Sequence, residues 1–138
     1  MAYMSQEKKR QIAPKVKKIL KKYGMNGTLS VDNHSTLVLT LKSGRLDLLK
    51  DFDNSVNADL QFMGRPARTE PLKYLDVNPY HYRNQFSVKE NRNFMIEIFE
   101  AMNCGNHDNS RAEIDYFDVG WYVRVYVGRW NKPFLLLK

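Results

Sequence analysis

Apolar side chains recur along this chain in two rhythms, one helical and one strand-like. Ile12, Val16, Ile19, Leu20 and Tyr23 form a single helical stripe. Ser5 is placed to cap that helix and Gly24 to stop it. Pro14 disturbs the pattern. It either kinks the helix or stands in the first turn of a shorter one beginning near Ile12. A period of two follows. Residues 28–31 and 36–41 alternate, and Asp32, Asn33, His34 and Ser35 between them suit a turn. The alternation turns Leu29, Val31, Leu37, Leu39 and Leu41 toward a core. Thr28, Ser30, Thr36, Val38 and Thr40 take the opposite face. Ser43 and Gly44 end the hairpin, and Leu46, Leu48 and Leu49 either prolong it or open a short helix.

Residues 51–72 carry no clear period and include Gly64, Pro66 and Pro71, so a long loop is predicted there. Residues 74–78 read as a third strand. A second helix is announced by Ser87 and Glu90, spaced as a capping box, with Phe94, Met95, Ile98, Phe99 and Met102 on one face and Gly105 as terminator. Residues 106–111 form a polar connection. The strongest strand covers 119–127, with Val119, Trp121, Val123, Val125 and Val127 on one side and Gly120, Tyr122, Arg124 and Tyr126 on the other. Residues 133–137 allow a last short strand.

The order is α-β-β-β-α-β. It predicts one α+β domain over residues 1–138, in two layers: an antiparallel sheet of about four strands with two amphipathic helices on one face. The first five elements follow the order of a double-stranded-RNA-binding domain, a likeness of order that carries no function by itself. With 138 residues, 43% of them apolar, the chain is long enough to bury a core and too apolar for a disordered segment.

Charge changes this picture. The net charge of +7 resides in the first 24 residues, where Lys8, Lys9, Arg10, Lys15, Lys17, Lys18, Lys21 and Lys22 face one acid, Glu7; the remainder is balanced. Lys8, Lys15, Lys18 and Lys22 mark one polar face of the first helix, with Lys17 and Lys21 beside it. A merely solvated face would mix Glu with Lys, so the single sign points to an anionic partner: nucleic acid, or an acidic protein surface. A membrane surface fits less well, because the core needs the apolar stripe and Tyr23 is its one aromatic residue. No apolar run is long enough to span a bilayer, and the basic N-terminus lacks a signal-peptide pattern. The single cysteine, Cys104, suits a reducing compartment.

If the helices cover the Leu/Val/Trp face, the open face carries Tyr122, Arg124 and Tyr126 with Ser30, Thr36 and Thr40, and Tyr74 stands ready to join them. Aromatics with a cation on an open sheet can stack bases; the same residues also serve as plain cross-strand packing. Catalysis has thinner support. Cys104, His107 and Asp108 lie close in sequence, but no second ligand pair completes a zinc site. Asp115 and Asp118 before the strong strand suit Mg²⁺ or acid–base work, and equally suit a surface. Neither metal nor cofactor is expected.

Residues 1–9, 21–24 and 27–38, with Tyr116-Phe117-Asp118-Val119 and residues 128–134, resemble a group of small tailed-phage proteins of unassigned activity. They are similar also to a domain within the large polyvalent proteins of phages and mobile elements. The resemblance is least over 51–85. It implies a phage-encoded protein acting in the host bacterial cytoplasm. The expected function is a non-enzymatic accessory protein that binds nucleic acid or a nucleoprotein through the lysine helix. The alternatives are a binder or inhibitor of a host protein and, third, a metal-dependent hydrolase or nuclease. Self-association is compatible with each.

Overall fold

The Ser5 hydroxyl accepts the Lys8 amide at 3.1 Å and opens α1 (Gln6–Tyr23). Gly24, at φ +68°, closes that helix in the left-handed conformation that glycine adopts without a steric penalty. The computed structural model describes residues 2–106 and 120–137. After α1 come β1 (Met25–Asp32), β2 (Thr36–Gly44), α2 (Leu48–Phe62), β3 (Leu75–Val77), α3 (Tyr82–Gln85), α4 (Lys89–Met102), β4 (Tyr122–Val127) and β5 (Leu135–Leu136). The helix runs unbroken through Pro14, which is exposed. Proline has no N–H to offer the Arg10 carbonyl, so that helical hydrogen bond is not formed.

The α+β class holds. The sheet is mixed rather than antiparallel, in the order β1-β2-β4-β3. β1 pairs antiparallel with β2, and β3 antiparallel with β4, but β2 and β4 run parallel, Leu37 beside Val123 and Leu41 beside Val127. Period-two alternation is the same for either direction, whereas the long chain between β2 and β4 is what permits a parallel neighbour. β5 continues beside the end of β2, with Ser43 opposite Leu135. The likeness to a double-stranded-RNA-binding order also ends here, because α2 stands between the second and third strands.

α2 replaces the first half of the predicted loop over 51–72. Asp47 caps it, accepting the Lys50 amide at 3.3 Å, and Leu48, Leu49 and Asp51 are buried in its first turn. The chain beyond it folds back along the helix: the Arg68 amide donates to Asn57 Oδ1 at 2.9 Å, and Arg68 Nε lies 3.2 Å from Asp53 Oδ1.

The predicted capping box is also replaced. The Ser87 hydroxyl donates to Asp51 of α2, Glu90 pairs with Arg45 at 2.8 Å, and Val88 stands at the N-cap with no side-chain bond. α4 nevertheless buries Phe94, Met95, Ile98, Phe99 and Met102 as predicted.

One core joins both helices to one sheet face. Ile12, Val16, Leu20 and Tyr23 of α1 and Phe94, Ile98 and Met102 of α4 pack with Leu37, Leu39, Leu41, Trp121, Val123, Val125 and Val127. α1 and α4 lie antiparallel, with Tyr23 edge-on to Phe94 at 5.2 Å between ring centres at one end and Lys15 beside Cys104 at the other. Gly128, at φ +75°, permits the turn after β4: a Cβ there would lie 2.5 Å from the Phe134 amide nitrogen.

Candidate nucleic-acid interface

Apart from Lys9, the lysines of α1 divide by whether they have partners within the chain. Lys8, Lys15 and Lys22 lie on the flank beside α4 and β4 and are occupied within the chain. Lys8 Nζ sits 4.6 Å from the centre of the Trp121 ring, a cation–π contact. Lys15 Nζ is 2.9 Å from Cys104 Sγ, and Lys22 Nζ is 2.9 Å from Glu97 Oε1. Glu97 also accepts a short hydrogen bond from the Tyr23 hydroxyl. That bond first, and Lys22 second, holds the Glu97 carboxyl below the usual carboxylate range. The same bond, aided by burial, pushes the Tyr23 phenol up to about 12.

Arg10, Lys17, Lys18 and Lys21 point away from the core. All four are exposed, and none has an acidic partner among the described residues. At 3.6 residues per turn, Arg10, Lys17 and Lys21 fall within about 40° of one another around the axis. Lys8, Lys15, Lys18 and Lys22 fall within about 80° of one another, as the spacing predicts, but three of the four have partners within the chain. Lys18, exposed and without such a partner, lies between this group and the outward set of Arg10, Lys17 and Lys21, about 80° around the axis from Arg10. Helical spacing contains Arg10's place, but not which flank α4 covers.

The second predicted group lies on the other side of the sheet. Tyr122, Arg124 and Tyr126 alternate outward from β4, in register with Thr36, Val38 and Thr40 of β2. Val38 is buried at 3% exposure even on this face, while Tyr122 is 47% exposed. Arg124 donates to the Tyr126 hydroxyl at 3.3 Å, and this bond first raises the guanidinium pKa above its ordinary value. Arg129, absent from the sequence-level candidates, stacks over the Tyr126 ring at 4.1 Å and reaches Thr40 Oγ1 at 3.5 Å. Tyr74 is exposed just before β3, and Trp130 projects at 79% exposure. Because α1 packs on the opposite face, the outward lysines and the tyrosine ladder do not form one surface.

A cleft of about 730 Å³ opens where β2 and β4 begin, lined by Thr36, Asp76, Asn78, Tyr80, Tyr122 and Arg124 among others. Cys104 is exposed, and its sequence neighbours His107 and Asp108 lie outside the described residues, as do Asp115 and Asp118. Among the described residues no group of three or more His, Cys, Asp or Glu is placed to hold a metal ion, and no helix is long and apolar enough to cross a membrane. No family model, no curated protein and no solved structure matches the chain.

Proposed function

We propose that this protein binds nucleic acid through the outward face of α1, as a non-enzymatic accessory protein. The observation that carries the reading is the set Arg10, Lys17, Lys18 and Lys21: four exposed cations on a rigid helix whose one acid is Glu7, with no ion pair to any of the four among the described residues. From Arg10 to Lys21 the helix rises about 16 Å, enough to follow several phosphates of a duplex. The helix is anchored by its apolar stripe, so the charges are presented in fixed positions and not on a loose tail. The resemblance to small tailed-phage proteins supports a setting in the host bacterial cytoplasm.

Four phosphate contacts imply a slope of log K against log salt of about −3.6 on duplex DNA. Affinity for a fluorescent 20-base-pair duplex should therefore fall about 100-fold between 50 and 200 mM salt. Binding that ignores salt, or that survives Lys17→Glu, Lys18→Glu and Lys21→Glu together, overturns the reading.

A second reading, a binder of a host protein, is favoured by a separate observation. Trp130, Leu135, Leu136 and Leu137 are exposed at 79%, 63%, 44% and 47%, large apolar side chains at and near β5 of the kind that protein partners cover. A salt-resistant complex that persists after nuclease treatment would support it over the first.

A further inference from the structure

We propose that the cleft at the beginning of β2 and β4 receives an unpaired guanine base. Two of its lining residues are exposed tyrosines. Tyr122 projects from β4 at 47% exposure, and Tyr80 from the turn after β3 at 79%. Tyr80 is held in place: its amide donates to Asn78 Oδ1 at 2.8 Å, and the Asn78 amide donates to Gln85 Oε1 at 3.4 Å. Another lining residue, Asn106, bonds both the carbonyl and the amide of Trp121, at 2.8 and 2.9 Å. Exposed tyrosine rings on a rigid frame are a stacking surface for a base.

Arg124 and Asp76 supply the reading groups. Their side chains are 55% and 52% exposed, and the guanidinium and carboxylate lie 3.8 Å apart, too far for a hydrogen bond. The Asp76 carboxylate accepts no hydrogen bond from any described residue, and Arg124 spends one N–H on Tyr126. Both therefore keep hydrogen-bonding capacity directed at the cleft they line. A guanidinium only donates, and a carboxylate accepts best from a pair of donors. Guanine is the base that offers both on one edge, the O6 acceptor beside N1–H and the N2 amino group, within reach of side chains 3.8 Å apart. Adenine presents one acceptor beside one amino group, and so satisfies half of the pair. The site lies across the sheet from α1 and does not depend on the helix reading. The base can arrive in a single strand or as a free nucleotide.

The test uses the full chain. Guanosine and adenosine monophosphates are titrated calorimetrically, alongside ten-residue thymidine strands with and without one central guanine. The guanine ligands should bind about tenfold more tightly than their counterparts. Asp76→Asn should erase most of that preference, because the amide offers N–H groups to guanine's own donors. Tyr122→Leu should weaken every ligand by a similar factor. The triple lysine variant of α1 should bind guanosine monophosphate as the unchanged protein does. Preference seen with the monophosphates marks a nucleotide site, and preference confined to the strands marks a nucleic-acid site; both support the proposal. Equal binding of guanine and adenine ligands, no binding of any, or a preference untouched by Asp76→Asn overturns it.

Discussion

Asp51 and Ser87 are joined by two hydrogen bonds to a single carboxylate oxygen: the Ser87 amide lies 3.0 Å and its hydroxyl 2.9 Å from Asp51 Oδ1. The other oxygen accepts the Val88 amide and Asn91 Nδ2, each at 3.0 Å. A buried acid of α2 thus receives four donors at the start of α4, where the helix dipole favours negative charge. Asp51→Ala would leave these donors unpaired in a site where Asp51 itself is 3% exposed. The expected loss is about 2–4 kcal/mol of folding stability, read by urea unfolding. Ser87→Ala removes only one of the four bonds and should cost about 1 kcal/mol.

This contact also explains what the sequence concealed. Leu48, Leu49, Phe52, Val56 and Leu60 have helical spacing, but Asp51, Asp53, Asn54, Asn57 and Asp59 stand among them. Asp and Asn favour turns in isolation. Only the first turn of α2 is deeply buried, so its apolar signal is diluted. Ser87 and Glu90 match a local capping box, yet the donors answer a residue 36 positions away, which no local pattern contains. The stripe of α1, the apolar face of α4 and the alternation of β4 were legible because each packs along its whole length. The division of the lysines was not, since it depends on where α4 docks.

Pro14 stands inside α1, where proline costs about 3 kcal/mol relative to alanine in an unconstrained helix interior. The helix holds its course because Ile12 and Val16, on either side of Pro14, are buried at 4% and 1% exposure. Pro14→Ala should restore the missing N–H donor and stabilise the protein by about 1–3 kcal/mol, seen as a higher urea midpoint with an unchanged m-value.

The Tyr23–Glu97 bond ties α1 to α4 and should give stability a pH dependence at both extremes. A carboxyl held below its ordinary value stabilises the fold above the unfolded pKa of about 4.3, and that share disappears as the pH falls through the folded value. A phenol raised to about 12 contributes fully below its unfolded value, and its share is lost as the pH rises through about 12. Glu97→Gln should therefore flatten the acid side of the stability curve. Tyr23→Phe should cost about 1–2 kcal/mol at pH 7 and remove the alkaline share, measured by denaturant unfolding across pH.

The two lysine sets should separate binding from stability. Lys8, Lys15 and Lys22 already have partners in Trp121, Cys104 and Glu97. Each contact is at least partly exposed, so changing all three to Ala should cost about 1–2 kcal/mol of stability in total. Nucleic-acid binding should weaken only modestly, through the lower net charge. Lys17, Lys18 and Lys21 have no such partners, and replacing them with Ala should leave stability within about 0.5 kcal/mol. The same change removes three of four phosphate contacts, so the salt slope should fall from about −3.6 to about −1. Duplex binding at several salt concentrations, paired with urea unfolding of both triple variants, measures all four quantities. If the partnered set carried the larger loss of affinity, the ligand would lie along the α1–α4 seam instead of on the outward face.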